Sequence, residues 1–160
     1  MLNDIYNKTI LRLAADIPLT GRLAHPQATA TAHSKLCGSK VTVDMSMKDG
    51  RVCEFAHEVK ACALGQASSS IMARHVIGST PVELRQVGAK MRAMLKDGAP
   101  PPDGKWKTCE VLEPVRDFTA RHASTLLTFD AVEDALAQIE AGDIGNGVGT
   151  TQRPRPDQAT

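Results

Sequence analysis

Aromatic side chains and clusters of positive charge are scarce in this sequence. Only Trp106, Tyr6 and three phenylalanines are aromatic, so a core must consist mainly of aliphatic side chains, and 42% of the residues are hydrophobic. Nineteen Lys and Arg residues nearly balance eighteen Asp and Glu residues. Because no local run of Lys and Arg breaks this balance, there is no broad positive field to attract a phosphate backbone, and nucleic-acid binding is not expected.

Long apolar runs are also missing. No stretch reaches the roughly 20 apolar residues that a transmembrane helix requires, so no membrane span is predicted. Near the start of the chain, Asp4, Lys8 and Arg12 interrupt the apolar residues, and no continuous hydrophobic segment typical of a signal peptide follows. These patterns predict a cytoplasmic protein whose thiols lie in a reducing environment.

The four cysteines are widely spaced, and no two of them form a Cys-x-x-Cys pair. Cys37, Cys53, Cys62 and Cys109 are too sparse for a disulfide framework. In a reducing compartment we therefore expect them to be free, metal-bound or redox-active.

Motifs of the common enzyme classes are absent as well. The sequence has no Gly-rich phosphate loop, no nucleophile elbow and no close His–Asp pair. Asp44, Asp49 and Asp130 fall in strand, turn and helix patterns in which solvated carboxylates are ordinary. The sequence therefore predicts a protein that is not an enzyme.

The first segment with clear periodicity is helical. Residues 3–15 are predicted to form an amphipathic helix that ends before Pro18 and Gly21. Its apolar face consists of Tyr6, Ile10, Leu13 and Ala14. Residues 24–34 are small and polar, which is typical of an irregular connector or of the approach to a first strand.

A β-hairpin is predicted from Lys40 onwards. Over residues 40–47, one face carries Val41, Val43, Met45 and Met47, and the other carries Thr42, Asp44 and Ser46. Such alternation is typical of a half-buried strand. Lys48-Asp49-Gly50 supplies the turn, because Asp-Gly favours tight hairpins, and residues 51–59 return as the second strand.

Helical patterns follow the hairpin and predict an α+β domain. A segment of small residues runs from Gly65 to Ala73, and Gly78 ends this helix. Thr80 as N-cap, Pro81 at the first helical position and Glu83 as capping-box residue mark the start of the next helix, which reaches about residue 96. The apolar face of a last helix, over residues 119–141, consists of Leu126, Leu127, Phe129, Val132, Leu136 and Ile139.

Two segments are predicted to lie outside regular elements. Residues 97–104 contain three consecutive prolines, which exclude a helix or a central strand. Beyond Gly142 the composition is dominated by Gly, Thr, Pro, Gln and charged residues, which cannot bury enough apolar surface to fold alone. We therefore expect one domain over residues 1–141 and a tail over residues 142–160 that is extended or bound to a partner.

Cys37 and Cys62 are the strongest candidates for chemistry. Cys37 precedes the hairpin, and Cys62 stands where the small-residue helix begins. The partial positive charge of a helix N-terminus stabilises a thiolate, and thiolates bind iron and zinc well. The alternative is that both are small core residues, as free cysteines often are.

Four segments in a fixed order extend this interpretation. They are an opening stretch with Tyr6, Ile10, Gly21 and Leu23; Cys37-Gly38 before the hairpin; Cys62 followed by Ala67-Ser68-Ser69-Ser70; and Glu113-Pro114-Val115-Arg116-Asp117-Phe118-Thr119-Ala120-Arg121 before the last helix. Together, over roughly residues 3–140, they resemble the IscU, NifU N-terminal and SufU family of iron–sulfur cluster assembly scaffolds, and the last segment is most similar to the SufU branch. The resemblance implies a small antiparallel sheet of about three strands packed against several helices.

The resemblance also implies a metal site of three cysteines and one aspartate. Cys37 and Cys62 match the first two cysteines, whereas Ser39 stands at the aspartate position and Ser124 at the third cysteine position. Neutral serine is a poor ligand for iron or zinc, and a site with two thiolates needs other groups to reach four ligands. The implied cofactor is a [2Fe–2S] cluster or zinc at Cys37 and Cys62, or none.

Few other side chains are placed to complete such a site. His122 lies two residues before the third cysteine position and would point about 200° away on a helix. His33 lies four residues before the first cysteine in flexible sequence, from which it could reach the site. Cys53 and Cys109 belong to other segments, and a packed or solvated side chain is the ordinary expectation for each.

Two functions follow from the resemblance, and the sequence leaves both open. In the first, Cys37 and Cys62 hold a cluster or accept sulfur as a persulfide, with a cysteine desulfurase or an iron–sulfur recipient protein as partner. If the two cysteines are neighbours, they could also form a reversible disulfide. In the second, the scaffold fold is retained without a cluster as an accessory subunit of a multi-subunit complex, such as a respiratory iron–sulfur complex, peripheral to a membrane. Residues 152–156 (Gln-Arg-Pro-Arg-Pro) suit an extended arm for that role.

Overall fold

Strands and helices follow each other along the chain largely as the hydrophobic patterns predict. The computed structural model describes residues 6–147, with side chains as far as residue 142. The elements are helix α1 (Lys8–Ala15), strands β1 (Ala28–His33), β2 (Lys40–Lys48) and β3 (Arg51–Lys60), and helices α2 (Ala63–His75), α3 (Pro81–Asp97) and α4 (His122–Gly147), with 3₁₀ segments at Gly104–Asp117 and Thr119–Arg121 between α3 and α4. The predicted α+β class is confirmed.

The sheet has the order β1-β2-β3, and both strand pairs are antiparallel. The predicted hairpin is formed by β2 and β3. Asp49 and Gly50 connect them with φ angles of +56° and +76°, the backbone pattern of a tight two-residue turn. Within residues 24–34, Ala28–His33 form the strand β1 itself, whereas the sequence predicted only an irregular connector or the approach to a strand there. The expectation of about three strands is met by the described residues.

The buried face of the sheet carries the predicted aliphatic side chains. Val41, Val43 and Met45 are buried, and α4 packs across β1 and β2. α2 packs between α1 and α4, while α3 contacts α4. The core therefore lies between the sheet and the helices. The end of β1, the start of β2 and the end of β3 share one edge of the sheet, and β3 leads from this edge into α2.

Asp44 departs from the expectation of a solvated carboxylate, because its side chain is buried on the opposite face of β2. Arg22 donates from Nε to Oδ2 of Asp44 at 2.7 Å, Thr29 donates from Oγ1 to Oδ1 at 2.7 Å, and the N–H of Leu23 donates at 2.9 Å. Burial raises the pKa of Asp44, but these hydrogen bonds outweigh it and the pKa lies below its ordinary value. Asp44 thus anchors the loop that follows α1 to the sheet.

Caps mark the starts of two helices, and one of these starts differs from its prediction. Asn7 accepts the N–H of Ile10 at 3.0 Å, so α1 begins at Lys8; residues 6 and 7 of the predicted helix lie before it, and residues 3–5 lie outside the described residues. The predicted start of α3 is confirmed. Thr80 accepts the N–H of Glu83 at 3.1 Å before α3. α2 ends at His75, somewhat earlier than the predicted Gly78.

The 3₁₀ segment over Gly104–Asp117 was not predicted from the sequence. Its buried residues are Trp106, Cys109, Leu112 and Val115. They recur every third position, which is the period of a 3₁₀ helix. This three-residue spacing could have predicted the 3₁₀ segment. It does not match the period of 3.6 for an α-helix or of 2 for a strand.

The last helix differs from its prediction at both ends. Residues 119–121 form a 3₁₀ turn, and α4 begins at His122. α4 continues to Gly147, so residues 142–147 are helical although they were assigned to the tail. Residues 148–160, including the proposed arm at 152–156, lie outside the described residues. Within the described part, no helix is both long and apolar enough to cross a membrane.

Candidate cysteine–serine site

Cys37 lies in the tight loop that joins β1 to β2. The N–H of Ser34 donates to the carbonyl of Ser39 at 2.8 Å, and the N–H of Gly38 donates to the carbonyl of Ser34 at 2.9 Å. Gly38 has a φ of +73°, a left-handed conformation that glycine adopts without steric cost. The loop holds the thiol of Cys37 at the surface, with Sγ 3.0 Å from Oγ of Ser39 and 3.6 Å from Oγ of Ser34.

These hydroxyl groups favour the thiolate form of Cys37. The hydrogen bond from Ser39 is the largest cause that lowers the pKa of Cys37, followed by Ser34 and the N–H of Ser39. Slight burial opposes this effect, and the positive charge of Arg121 adds to it. Cys37 is therefore an exposed thiol with an enhanced thiolate fraction, and the thiolate is the nucleophilic and metal-binding form.

Cys62 is the N-cap residue of α2, and it faces the first turn of α4. Its Sγ lies 3.5 Å from Oγ of Ser124, and it is partly buried. Ser124 also donates to the carbonyl of Arg121 at 3.2 Å. Cys62 and Ser124, the two positions that the resemblance assigns to the second and third cysteines, are therefore neighbours in the structure.

Arg121 connects the two cysteine–serine pairs. Its backbone carbonyl accepts the hydroxyl of Ser124, and its guanidinium charge acts on Cys37. The loop with Cys37 and Ser39 thus lies within electrostatic range of the start of α4. In the sequence Arg121 is recognisable only as part of a motif, and nothing in the sequence identifies Ser34 as a partner of Cys37.

The four positions that the resemblance assigns to the family site carry two kinds of donor atom. The four matching positions offer two thiols, from Cys37 and Cys62, and two hydroxyls, from Ser39 and Ser124. Across residues 6–147, no group of three or more His, Cys, Asp and Glu side chains could hold a metal ion. Zinc and iron–sulfur sites normally use four strong ligands, and at the four matching positions Cys37 and Cys62 supply two thiols.

Of the two other candidate ligands, His122 is hydrogen-bonded elsewhere and His33 lies in a strand. Nε2 of His122 lies 3.1 Å from the carbonyl oxygens of both Val115 and Arg116, so this buried nitrogen donates a hydrogen bond to backbone acceptors. His33 is the last residue of β1 and pairs with Lys40, so the expectation that it lies in flexible sequence is wrong.

The two remaining cysteines also lie apart from the site. Cys53 is exposed on β3, where its thiol donates to the carbonyl of Ser46 at 3.4 Å. Cys109 is buried in the 3₁₀ segment, and burial raises its pKa to about 12. Cys109 is therefore protonated at neutral pH. It is a packed core side chain, which is what the sequence led us to expect of a lone cysteine.

Comparison with known proteins gives concordant results. The family model for the NifU-like N-terminal domain matches residues 5–112. The iron–sulfur cluster assembly scaffold protein IscU of Thermotoga maritima is 24% identical over 135 residues, which cover 84% of this chain and 94% of the relative.

Solved structures show the same fold. The crystal structure of a nitrogen-fixing NifU-like protein (N-terminal) from Brucella abortus is 60% identical, with a TM-score of 0.86, over 88% of this chain and 97% of that one. A putative SufU scaffold from Fervidobacterium islandicum AW-1 is 21% identical, with a TM-score of 0.77, over 82% of this chain and 96% of that one.

Proposed function

Because this chain belongs to the NifU-like N-terminal domain family of iron–sulfur cluster assembly scaffolds, we propose that it carries sulfur or a [2Fe–2S] cluster as cargo at Cys37 and Cys62. The observation that carries this proposal is the environment of Cys37. The thiol is exposed, two serine hydroxyls surround it, and its pKa is lowered. A reachable thiolate of this kind suits the acceptance of sulfur or the binding of iron.

Sulfur uptake requires only one reactive thiolate at the site. The Cys37 thiolate attacks the outer sulfur of a persulfide on a cysteine desulfurase. A new S–S bond forms on Cys37, the S–S bond on the desulfurase breaks, and the desulfurase thiolate leaves with the electron pair. No net oxidation takes place and no second ligand is needed. The protein acts as a carrier in this exchange, in keeping with the prediction that it is not an enzyme.

Binding a [2Fe–2S] cluster requires more ligands than sulfur uptake does. A [2Fe–2S] cluster takes four thiolate or imidazole ligands, and Cys37 and Cys62 supply two. Ser39 and Ser124 are placed beside them but present neutral hydroxyls, which bind iron weakly. A cluster on this protein would therefore need ligands from a recipient protein or another partner, and it would be labile on the isolated chain.

One experiment tests both forms of the proposal. The purified protein is incubated with a cysteine desulfurase and L-cysteine, and peptide mass spectrometry locates any added sulfur atom. In parallel, iron content and visible absorbance are measured after anaerobic reconstitution with iron and sulfide. We expect sulfur on Cys37 and its loss in Cys37→Ala, and any iron should fall in Cys62→Ala.

Cys53→Ala is the matched control, because Cys53 is exposed but lies on β3 away from the serine-flanked thiols. It should leave both sulfur uptake and iron content unchanged. Failure of Cys37 to gain sulfur, together with a colourless reconstituted protein, would contradict the proposed carrier function.

A second candidate function is an accessory subunit of a larger assembly, such as a respiratory iron–sulfur complex, that has kept the fold without a cluster. The incomplete donor set favours it, as does Leu36, which is 80% exposed directly beside Cys37. A large apolar side chain at that level of exposure suits burial against another protein. In this role the protein would lie in the cytoplasm at the periphery of a membrane complex.

Native gels of cell extract distinguish the two candidates. An accessory subunit should migrate with a large complex, and Leu36→Ser or removal of residues 148–160 should reduce that association. Migration as a free protein, with no change in any partner on removal of the tail, excludes the accessory function and leaves the carrier function intact.

A further inference from the structure

A cavity of about 530 Å³ lies between α3, the 3₁₀ segment at Gly104–Asp117 and the start of α4. None of Cys37, Ser39, Cys62 and Ser124 lines it. Its walls combine two kinds of side chain. Leu95 and Leu126 provide apolar surface, and Arg92, Lys96 and Arg116 provide three positive charges. The volume falls within the range that small-molecule sites commonly occupy.

Ion pairs hold the two arginines of this cavity in place. Arg92 donates to Asp130 at 2.7 Å and to Glu133 at 2.9 Å. Arg116 donates from Nη2 to Glu113 at 3.0 Å and to the carbonyl of Ala99 at 3.2 Å. These contacts fix the guanidinium groups, which reduces the conformational entropy that a ligand would otherwise have to overcome.

One positive group keeps its hydrogen-bonding capacity free. Lys96 is exposed at the end of α3, and its ammonium group forms no ion pair with the described residues. Nε of Arg116 also has no hydrogen-bond partner within residues 6–147, but the atom is buried, so a ligand would meet the outer part of the guanidinium group instead. The ammonium of Lys96 is therefore the group that an anion reaches first, and the positive charge of Arg116 lines the same cavity.

The charge balance limits the kind of ligand. Asp130 lines the cavity, and Glu113 and Glu133 stand beside it, so three carboxylates offset the three cations. There is no net positive field here to attract a polyanion such as a nucleic acid. Recognition must instead come from individual donors, and it therefore suits one small anionic group.

We propose that this cavity binds a small organic anion, in which a carboxylate or phosphate group meets Lys96 and Arg116 and an apolar body lies against Leu95 and Leu126. Guanidinium and ammonium groups form charge-assisted hydrogen bonds with both kinds of anion. The site is separate from the cysteine–serine pairs, and the inference does not depend on the proposed carrier function.

The test is an NMR titration of the full chain with three ring compounds of similar size: phenyl phosphate, benzoate and benzylamine. The anions should cause saturable shifts of the amide signals of Thr119 and Ala123, which line the cavity in the 3₁₀ turn and in the first turn of α4. Benzylamine, which has the ring but a positive charge, should not. Saturable binding of phenyl phosphate alone or of benzoate alone supports the proposal and identifies the anionic group. The absence of saturable shifts with both anions overturns it.

Charge variants locate the binding. Lys96→Gln should weaken the binding of the anions by roughly three- to tenfold, as expected for the loss of one partly solvated charged contact. Lys90→Gln is the matched control on the same helix, because Lys90 lies 3.7 Å from Asp103 and does not line the cavity. An equal loss in both variants would show a general charge effect and overturn the proposed site.

Arg116→Gln provides a second variant. Because Arg116 also donates to the carbonyl of Ala99, its melting curve is recorded beside the titration. Weaker anion binding in a variant that remains folded supports the role of Arg116. Unchanged binding in a folded Arg116→Gln protein contradicts it.

Discussion

The thiol of Cys62 lies 3.5 Å from the hydroxyl of Ser124, although 62 positions separate the two residues in the chain. The N-cap of α2 and the first turn of α4 are therefore as close as a site with thiolates at both positions would require. At the other pair, Cys37 lies 3.0 Å from Ser39. Each thiol thus lies against a serine hydroxyl, and neutral hydroxyls are weak donors for iron or zinc.

Replacing both serines should therefore create a strong metal site. In the double variant Ser39→Asp/Ser124→Cys, three thiolates and a carboxylate replace two thiols and two hydroxyls. We expect about one zinc ion per chain, the stoichiometry of a four-ligand site, whereas the unaltered protein should bind substantially less. Elemental analysis and the melting temperature with and without zinc measure the effect. Adding Cys62→Ala should abolish the gain, and an unchanged metal content in the double variant would contradict the proposed ligand positions.

The reactivity of Cys37 should depend on Ser39. Removing the hydroxyl in Ser39→Ala takes away the largest cause of the lowered pKa, so the thiolate fraction at pH 7 should fall. We expect alkylation of Cys37 by iodoacetamide to slow by about threefold and its pH midpoint to rise. Peptide mass spectrometry over a pH series measures the rate at each cysteine.

Two internal comparisons accompany that experiment. Ser46→Ala, a serine replacement on β2, should leave the rate at Cys37 unchanged. Cys109 should stay unmodified in the folded protein, because it is buried and its pKa is about 12. A rate at Cys37 that is the same with and without the Ser39 hydroxyl would refute the assigned cause.

Stability should fall in mild acid because of His57. Nε2 donates to the carbonyl of Pro18 at 2.9 Å, and the buried Nδ1 has no partner among the described residues. Burial lowers the pKa of His57 from its ordinary 6.5, against a smaller opposite effect of the bond to Pro18. The unfolded chain therefore binds more protons than the folded one below about pH 6.5, and the free energy of unfolding decreases as the pH falls through this range, by at most about 1.4 kcal/mol per pH unit.

His57→Gln should remove much of this dependence, because glutamine can still donate to Pro18 but does not titrate. Urea unfolding at pH 7.5 and pH 5.5 measures the difference for each protein. His75, whose pKa burial also lowers, leaves a residual slope, and the exposed His25→Gln serves as the control. An equal loss of stability in the unaltered protein and in His57→Gln would show that other groups are responsible.

The close approach of α2 to α4 depends on Gly65. A Cβ atom at this position would lie 2.7 Å from Cβ of Ala61 and 3.1 Å from the carbonyl oxygen of Ser124. Gly65→Ala should therefore separate the helix starts and lower the free energy of unfolding by about 1–3 kcal/mol. Thermal melting measures this change. Gly142→Ala, where a Cβ would meet nothing within 4 Å, should be neutral or slightly stabilising, and equal effects of the two replacements would argue against a steric cause.

Local chemistry made several elements predictable. The alternation in residues 40–47, the Asp49-Gly50 turn and the Thr80-Pro81 helix start depend on neighbouring residues, and the structure confirms each of them. The 3₁₀ segment was not predicted, because its period of three matches neither the helix nor the strand pattern. The burial of Asp44 was not predicted either, because its ion-pair partner Arg22 comes from a loop that only the folded chain places against β2.

The sequence by itself determined the α+β class, the hairpin, the family resemblance and the identity of the donor atoms: thiols at Cys37 and Cys62, hydroxyls at Ser39 and Ser124. Only the tertiary structure decided that Cys62 meets Ser124, that Arg121 acts on Cys37, and that Arg92, Lys96 and Arg116 line one cavity. The physical reason is the range of the interactions. Turns, caps and strand alternation arise within a few residues, whereas a site depends on packing between segments that lie far apart in the chain.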